Sequence, residues 1–231
     1  AEQLTPEAPN RAQLILTSFV LGMGIGTLFT GPLSDALGRK PVILGGAALY
    51  ITGAALAWAA QSLELVLAAR VVQGLGAAGP RVVALAIIRD LYAGRGMARI
   101  MSFMMVIFTL VPALAPALGA GIIWLTDWRG IFAAFVIFSA IGATWLALRQ
   151  AETLPPERRR PFRPRSLAAG IREILTTPVV AIAIAALALC FGMLFATLSS
   201  IQMVFEVTFG RGDSFHLWFG AIATGLLVLV L

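Results

Sequence analysis

Seven apolar runs divide this chain, each close to the roughly 20 residues that a helix needs to cross a bilayer. They lie at about residues 13–30, 42–60, 65–88, 100–125, 131–148 and 179–204, and a seventh opens near Phe215. Backbone in hydrocarbon must satisfy its hydrogen bonds within its own segment, so such runs fold as helices. An all-α, polytopic membrane bundle is expected. With 59% hydrophobic and 12% charged residues and a mean hydropathy of +0.92, the chain is no ordinary soluble domain. The formal charge of +6 does not signal nucleic acid, because the charges sit in gaps between apolar runs rather than on one face of a soluble fold. Cys190 is the single cysteine and lies inside an apolar run, so neither a disulfide framework nor a metal cluster is expected.

The gaps carry the topology. Arg39, Lys40, Arg89, Arg95, Arg99 and the arginines of residues 149–172 fall on one side, against Arg11, Arg129 and Arg211 on the other. The positive-inside rule puts the first set in the cytoplasm and the amino end outside. The long polar segment around ERRRPFRPR is too rich in proline and arginine to cross, and is expected to be a cytoplasmic linker with a surface helix from about Ser166 to Leu175. The organisation expected is a helical bundle over 1–149, a linker over 150–177 and the start of a second bundle over 178–231. The chain opens without methionine and stops within an apolar run at Leu231, and is expected to be a piece of a longer protein.

Between the first two runs lies GPLSDALGRKP, Gly31 to Pro41. Its residue types predict a short hairpin at the membrane surface: Gly31 for close approach at a helix end, Pro32 as a breaker, Gly38 for a left-handed turn and Pro41 to open the next helix. Asp35, Arg39 and Lys40 then lie just outside the hydrocarbon; a solvated, positively charged loop would look the same. The order of residues resembles the signature loop between helices 2 and 3 of the major facilitator superfamily, G-x-L-[AS]-D-x-x-G-R-[KR], matched by Gly31, Leu33, Ser34, Asp35, Gly38, Arg39 and Lys40. The resemblance implies that Asp35 and Arg39 are gate residues whose charge contacts break and re-form during transport. AIIRDLY, Ala86 to Tyr92, and WRGIF, Trp128 to Phe132, are further echoes. The first would bring Arg89 and Asp90 to Asp35 and Arg39 in a four-charge cluster.

Two arginines, Arg70 and Arg81, fall inside the third run, where an ionisable group needs a cavity or a partner. Eleven residues apart, they share a helix face at a separation of about 16 Å. With Gln73, Gly74 and Ala77 they read as a cavity wall, or else as two arginines snorkelling to opposite interfaces. ARVVQGLGAA resembles the superfamily's helix 4 motif R-x-x-Q-G-x-G-A-A, which implies a part in proton coupling for Arg70. Pro112, Pro116, Gly119 and Gly121 of the fourth run predict a bent helix with close approaches. APALGAG is similar to the helix 5 antiporter motif in its A-P-x-x-G form, found in the bicyclomycin/chloramphenicol-resistance type of drug:proton antiporter, with Ala115 and Ala120 where the full motif has glycine. In the sixth run Phe191, Met193, Phe195, Ser199 and Gln202 would line a cavity or simply pack.

Taken as a whole, the resemblance makes the runs helices 2 to 8 of a twelve-helix transporter whose first helix precedes residue 1. It implies a monomeric exporter of amphipathic, drug-like molecules in a bacterial-type inner membrane, working by alternating access and proton antiport, with a gradient in place of any cofactor. Transport of another solute, such as a sugar or metabolite, is the alternative, and a seven-helix receptor a more distant one. A retinal-type receptor would need an intramembrane lysine, and Lys40 is the only lysine. His216 is the only histidine, and no Walker-type loop is present, so neither an intramembrane enzyme nor an ATP-driven pump is expected. Every Asp and Glu of this sequence lies in a gap or at the end of a run, so a carboxylate at membrane depth to carry the proton is expected in the first helix or in helices 9 to 12.

Overall fold

The computed structural model describes residues 13–207, apart from the side chains at positions 109, 112, 113, 166, 195, 198, 199, 202, 203 and 205–207. Seven helices follow one another: α1 (Gln13–Leu37), α2 (Arg39–Ala59), α3 (Leu63–Leu91), α4 (Gly94–Leu125), α5 (Trp128–Arg149), α6 (Pro164–Thr176) and α7 (Pro178–Val207). A single 3-10 turn, Pro156–Arg158, lies between α5 and α6. Among the described residues, α1, α2, α3 and α5 are long and apolar enough to cross a membrane, and the bent α6–α7 pair adds a fifth span if counted as one. Of α4, Leu114–Leu125 counts only as a shorter apolar stretch, and the run expected near Phe215, with His216, lies outside the described residues.

The chain divides into two compact units, Ala1–Phe108 with Leu118–Phe162, and Thr109–Ala117 with Arg163–Leu231. In the first unit α3 packs along both α1 and α2, and α5 packs on α2. Small residues allow this. Gly22 of α1 lies against the Val71 carbonyl and Gly74 of α3 against the Phe19 carbonyl, where a side chain on either would overlap backbone. Without a water-driven force between helices in lipid, contact at this range is what holds them together. The filling is modest: Ala54, Ala57, Val66, Ala69, Ala78 and Val83 are buried, and Phe132 of α5 makes edge-on contacts with Trp128 and Phe135. Large apolar side chains face outward instead, among them Trp124, Phe138 and Trp145.

The connections are shorter than the sequence predicts. The Gly31–Pro41 hairpin does not form: α1 continues through Pro32 to Leu37, Gly38 alone interrupts the helix, and α2 starts at Arg39. Proline removes one in-helix donor, and the hydroxyls of Thr30 and Ser34 bond back to the Gly26 and Gly31 carbonyls at 2.7 and 2.9 Å beside it. Gly31 meets no close neighbour, against its expected role. RDLYAGRGMAR shrinks likewise to Tyr92 and Ala93. α4 is helical through positions 112 and 116, and nothing approaches Gly119 or Gly121 within 4 Å, so the expected close approach there is absent among the described residues. The expected surface helix is α6.

Candidate functional site

Two constellations occupy the first unit. One gathers at Gly38. This residue has φ 106° and ψ 162°, a backbone state that glycine alone adopts readily, and its amide still donates to the Ser34 carbonyl at 3.1 Å. The first amides of α2 therefore emerge directly opposite the end of α1, unpaired within their own helix. Glu152 caps them: its Oε1 accepts from Arg39 N at 2.9 Å and its Oε2 from Lys40 N at 3.1 Å. A carboxylate at a helix amino end is favoured by both its hydrogen bonds and the helix dipole. The Leu154 amide donates to the same Oε1 at 2.9 Å, folding the chain after α5 around the carboxylate.

Arg39 then reaches back. Its Nη1 donates to Ser34 Oγ at 2.7 Å and Asp35 Oδ1 at 2.6 Å on α1, and its Nε to Asp90 Oδ2 at 3.1 Å at the end of α3. Thr153 also donates to Asp90, at 3.3 Å. The Arg39 side chain is 11% exposed while Asp35 is 48% exposed, so the arginine is fixed and its aspartate is half open to solvent. Lys40, the other basic residue of the motif, donates from Nζ to the Ala147 carbonyl at 2.7 Å, near the carboxyl end of α5. Arg89 lines the same groove of about 390 Å³ as Asp35, Arg39, Arg81 and Asp90, but makes no ion pair among the described residues. The four-charge cluster is thus one arginine between two aspartates.

In the sequence Glu152 is one of several acids in the gaps between runs. No local pattern marks it, since its helix partners lie 113 and 112 residues away. Burial works against its charge, but amide donations from Leu154, Arg39, Lys40 and Thr153 outweigh that and hold the carboxyl below its ordinary range. A depressed folded value stabilises the protein above the unfolded carboxyl value, near 4.3, and the contribution fades as pH falls through the folded value. Glu152→Gln is therefore expected to lower stability by about 1–2 kcal/mol at neutral pH, with the gap to the parent closing below about pH 4. Thermal unfolding of both across pH checks this; a gap that stays constant into acid would remove the cap from the account.

The second constellation surrounds Arg70, in the first third of α3. Its Nε donates to the Ile15 carbonyl of α1 at 3.2 Å and its Nη1 to Gln73 Oε1 at 2.7 Å. The guanidinium stacks over Phe19 at 4.4 Å and stands 6.0 Å from the Phe132 ring of α5. Gln73 is fully buried, its Nε2 has no acceptor in hydrogen-bond geometry, and the Tyr50 hydroxyl of α2 faces it. No carboxylate pairs with Arg70 among the described residues. Arg81 does not share these surroundings: it is exposed, touches Met23 Sδ at 3.4 Å and belongs to the Asp35 groove. Gly74 meets the Phe19 backbone. Pro116 and Gly119 lie on α4, while the side chains of Pro112 on α4 and of Phe195, Ser199 and Gln202 on α7 lie outside the described residues.

Comparison with known proteins bears on what these sites serve. The family model described as Major Facilitator Superfamily matches residues 7–231. The chain is 32% identical over 203 residues to the "Bicyclomycin resistance protein homolog" of Haemophilus influenzae, covering 88% of this chain and 51% of that one. It is 38% identical over 136 residues to the "Chloramphenicol resistance protein" of Pseudomonas aeruginosa, covering 58% and 32%. With "Multidrug resistance protein MdtL" of Escherichia coli it shares 35% over 147 residues, covering 64% and 38%. The chain thus spans about a third to a half of the length of these relatives. The crystal structure of the human organic anion transporter MFSD10 (TETRAN) superposes with a TM-score of 0.59 at 28% identity, over 72% of this chain and 38% of that one. Apolar spanning helices, the Gly31–Lys40 motif closed by Arg39 and the matched family model agree: the chain belongs to the major facilitator superfamily of membrane transporters, and is not an enzyme.

Proposed function

We propose that the chain serves in proton-coupled export of drug-like small molecules, by alternating access across a bacterial inner membrane. Arg70 carries this reading: a partly buried cation among spanning helices, held among the described residues by a carbonyl, an amide and an aromatic face rather than by an acid. Those partners leave its charge uncompensated, so protons or substrate arriving nearby change its energy strongly. The likeness to bicyclomycin, chloramphenicol and multidrug resistance proteins supports drugs as substrates. In this proposal Arg39, between Asp35 and Asp90, is a latch on the cytoplasmic side. Residues up to 149 form one bundle, 150–177 the linker and 178 onward the start of the next.

Efflux by the full-length protein in proteoliposomes tests it, using neutral, cationic and anionic drugs with and without a pH gradient. Gradient-driven efflux is expected, and Arg70→Ala should reduce it at least about tenfold, or about 1.4 kcal/mol in the barrier. Transport indifferent to both gradient and substitution would overturn the reading. The likeness to an organic anion transporter favours a second one, in which the Arg70 charge, without a carboxylate among the described residues, attracts an organic anion. Preference for the anionic members of the panel, lost in Arg70→Ala, would select it.

A further inference from the structure

We infer that α6 is a lipid-binding helix, lying in the headgroup layer of an anionic bilayer with its apolar stripe toward the acyl chains and its arginines on lipid phosphates. The inference rests on membership of a membrane-transporter family and not on the substrate or the coupling ion. Leu167, Ile171, Ile174 and Leu175 recur at the spacing that puts them on one helical face. Glu173 and Thr176 lie away from that face. Ile174 and Leu175 remain 41% and 69% exposed, an apolar edge too large to leave in water on a helix of 13 residues.

Charge and direction select lipid as the occupant. Arg165 and Arg172, seven residues apart, flank the stripe on the same edge, about 10 Å from each other along the axis. Both are exposed, and long basic side chains at that position lift their charge to the headgroups while their stems lie in the apolar layer. α7 departs from α6 at 89°, and its outward face is apolar, with Val179, Ile182 and Leu189 each more than two-thirds exposed. With α7 along the membrane normal, α6 lies in the membrane plane.

The corner between them is stiff. Thr176 Oγ1 donates to the Arg172 carbonyl at 2.8 Å, Thr177 Oγ1 to the Glu173 carbonyl at 2.7 Å, and Pro178 opens α7 one residue later. Phospholipid held by α6 therefore sets the depth and tilt of the start of α7.

The test labels the full-length protein, with Cys190 and any cysteine outside residues 1–231 replaced by alanine, with bimane at Ile174→Cys or at Glu173→Cys. It is reconstituted in phosphatidylcholine vesicles with or without phosphatidylglycerol. Doxyl groups near the lipid headgroup should quench the label at 174 and spare the label at 173, more strongly with phosphatidylglycerol and less at high salt. Replacing both arginines, Arg165→Gln with Arg172→Gln, should weaken the phosphatidylglycerol dependence by about fivefold per arginine, and the matching Arg→Lys pair should keep it. Equal quenching in both lipids would overturn the anionic part. A label at 174 that is hidden from doxyl lipid yet shielded from water would show that protein covers the stripe, and would overturn the inference entirely.

Discussion

Gly38→Ala is expected to destabilise this transporter by about 2–4 kcal/mol, combining strain in a glycine-only backbone state with loss of a helix cap. An alanine Cβ there would stand 2.5 Å from Glu152 Oε2 and 3.1 Å from Arg159 Nη2, so the carboxylate that closes α2 must leave. Gly31→Ala, in the same motif, is the control. Nothing lies within 4 Å of its Cβ and its φ is ordinary for a helix, so stability should change by less than about 1 kcal/mol, in the favourable direction if at all. Thermal unfolding in detergent measures both. Equal losses would mean that the motif is needed as a surface for some partner, and that the cap geometry is not what makes Gly38 matter.

Gly74→Ala is the second large effect. The new Cβ would overlap the Phe19 carbonyl and come 2.8 Å from the Met23 amide, both backbone groups that cannot rotate away. α1 must then move off α3, taking with it the Gly22 contact with Val71 and the Ile15 carbonyl that holds Arg70. Overpacking of this kind costs about 1–3 kcal/mol or more. Gly24→Ala, with open space around it, should leave stability unchanged. A lower melting temperature with proportionate loss of transport is expected at 74. An unchanged melting temperature with an altered KM would instead make Gly74 a cavity residue, in keeping with its place on the helix face of Arg70 and Arg81.

What could be read in advance was the part of the chain that acts locally. Asp35 and Arg39 are four residues apart on the sequence, close enough for a pattern to announce their pairing. Arg70 stands out as a charge in an apolar run, whatever surrounds it. Its partners were not legible, because Ile15 offers a main-chain oxygen and Phe19 and Phe132 are indistinguishable from other apolar residues until the helices pack. Pro32 misled for a physical reason. Breaking rules learned from helices in water weaken where the alternative is an unsatisfied backbone near lipid, and hydroxyls at Thr30 and Ser34 stand ready beside it. Glu152 was invisible because its function depends on where α2 begins, a fact that only the single-residue joint at Gly38 fixes.

That joint also governs how such a chain can vary. One extra residue before Arg39 would turn every later position of α2 by about 100° and push it along by about 1.5 Å, swinging the guanidinium off Asp35 and Asp90 together. A deletion does the same in the opposite sense. Substitutions at open positions such as Gly31 can be tolerated, but the length of the stretch is frozen. Tags, epitopes and natural insertions must enter elsewhere, beyond the Arg160 amide, which is tied to the Asp35 carbonyl at 2.9 Å.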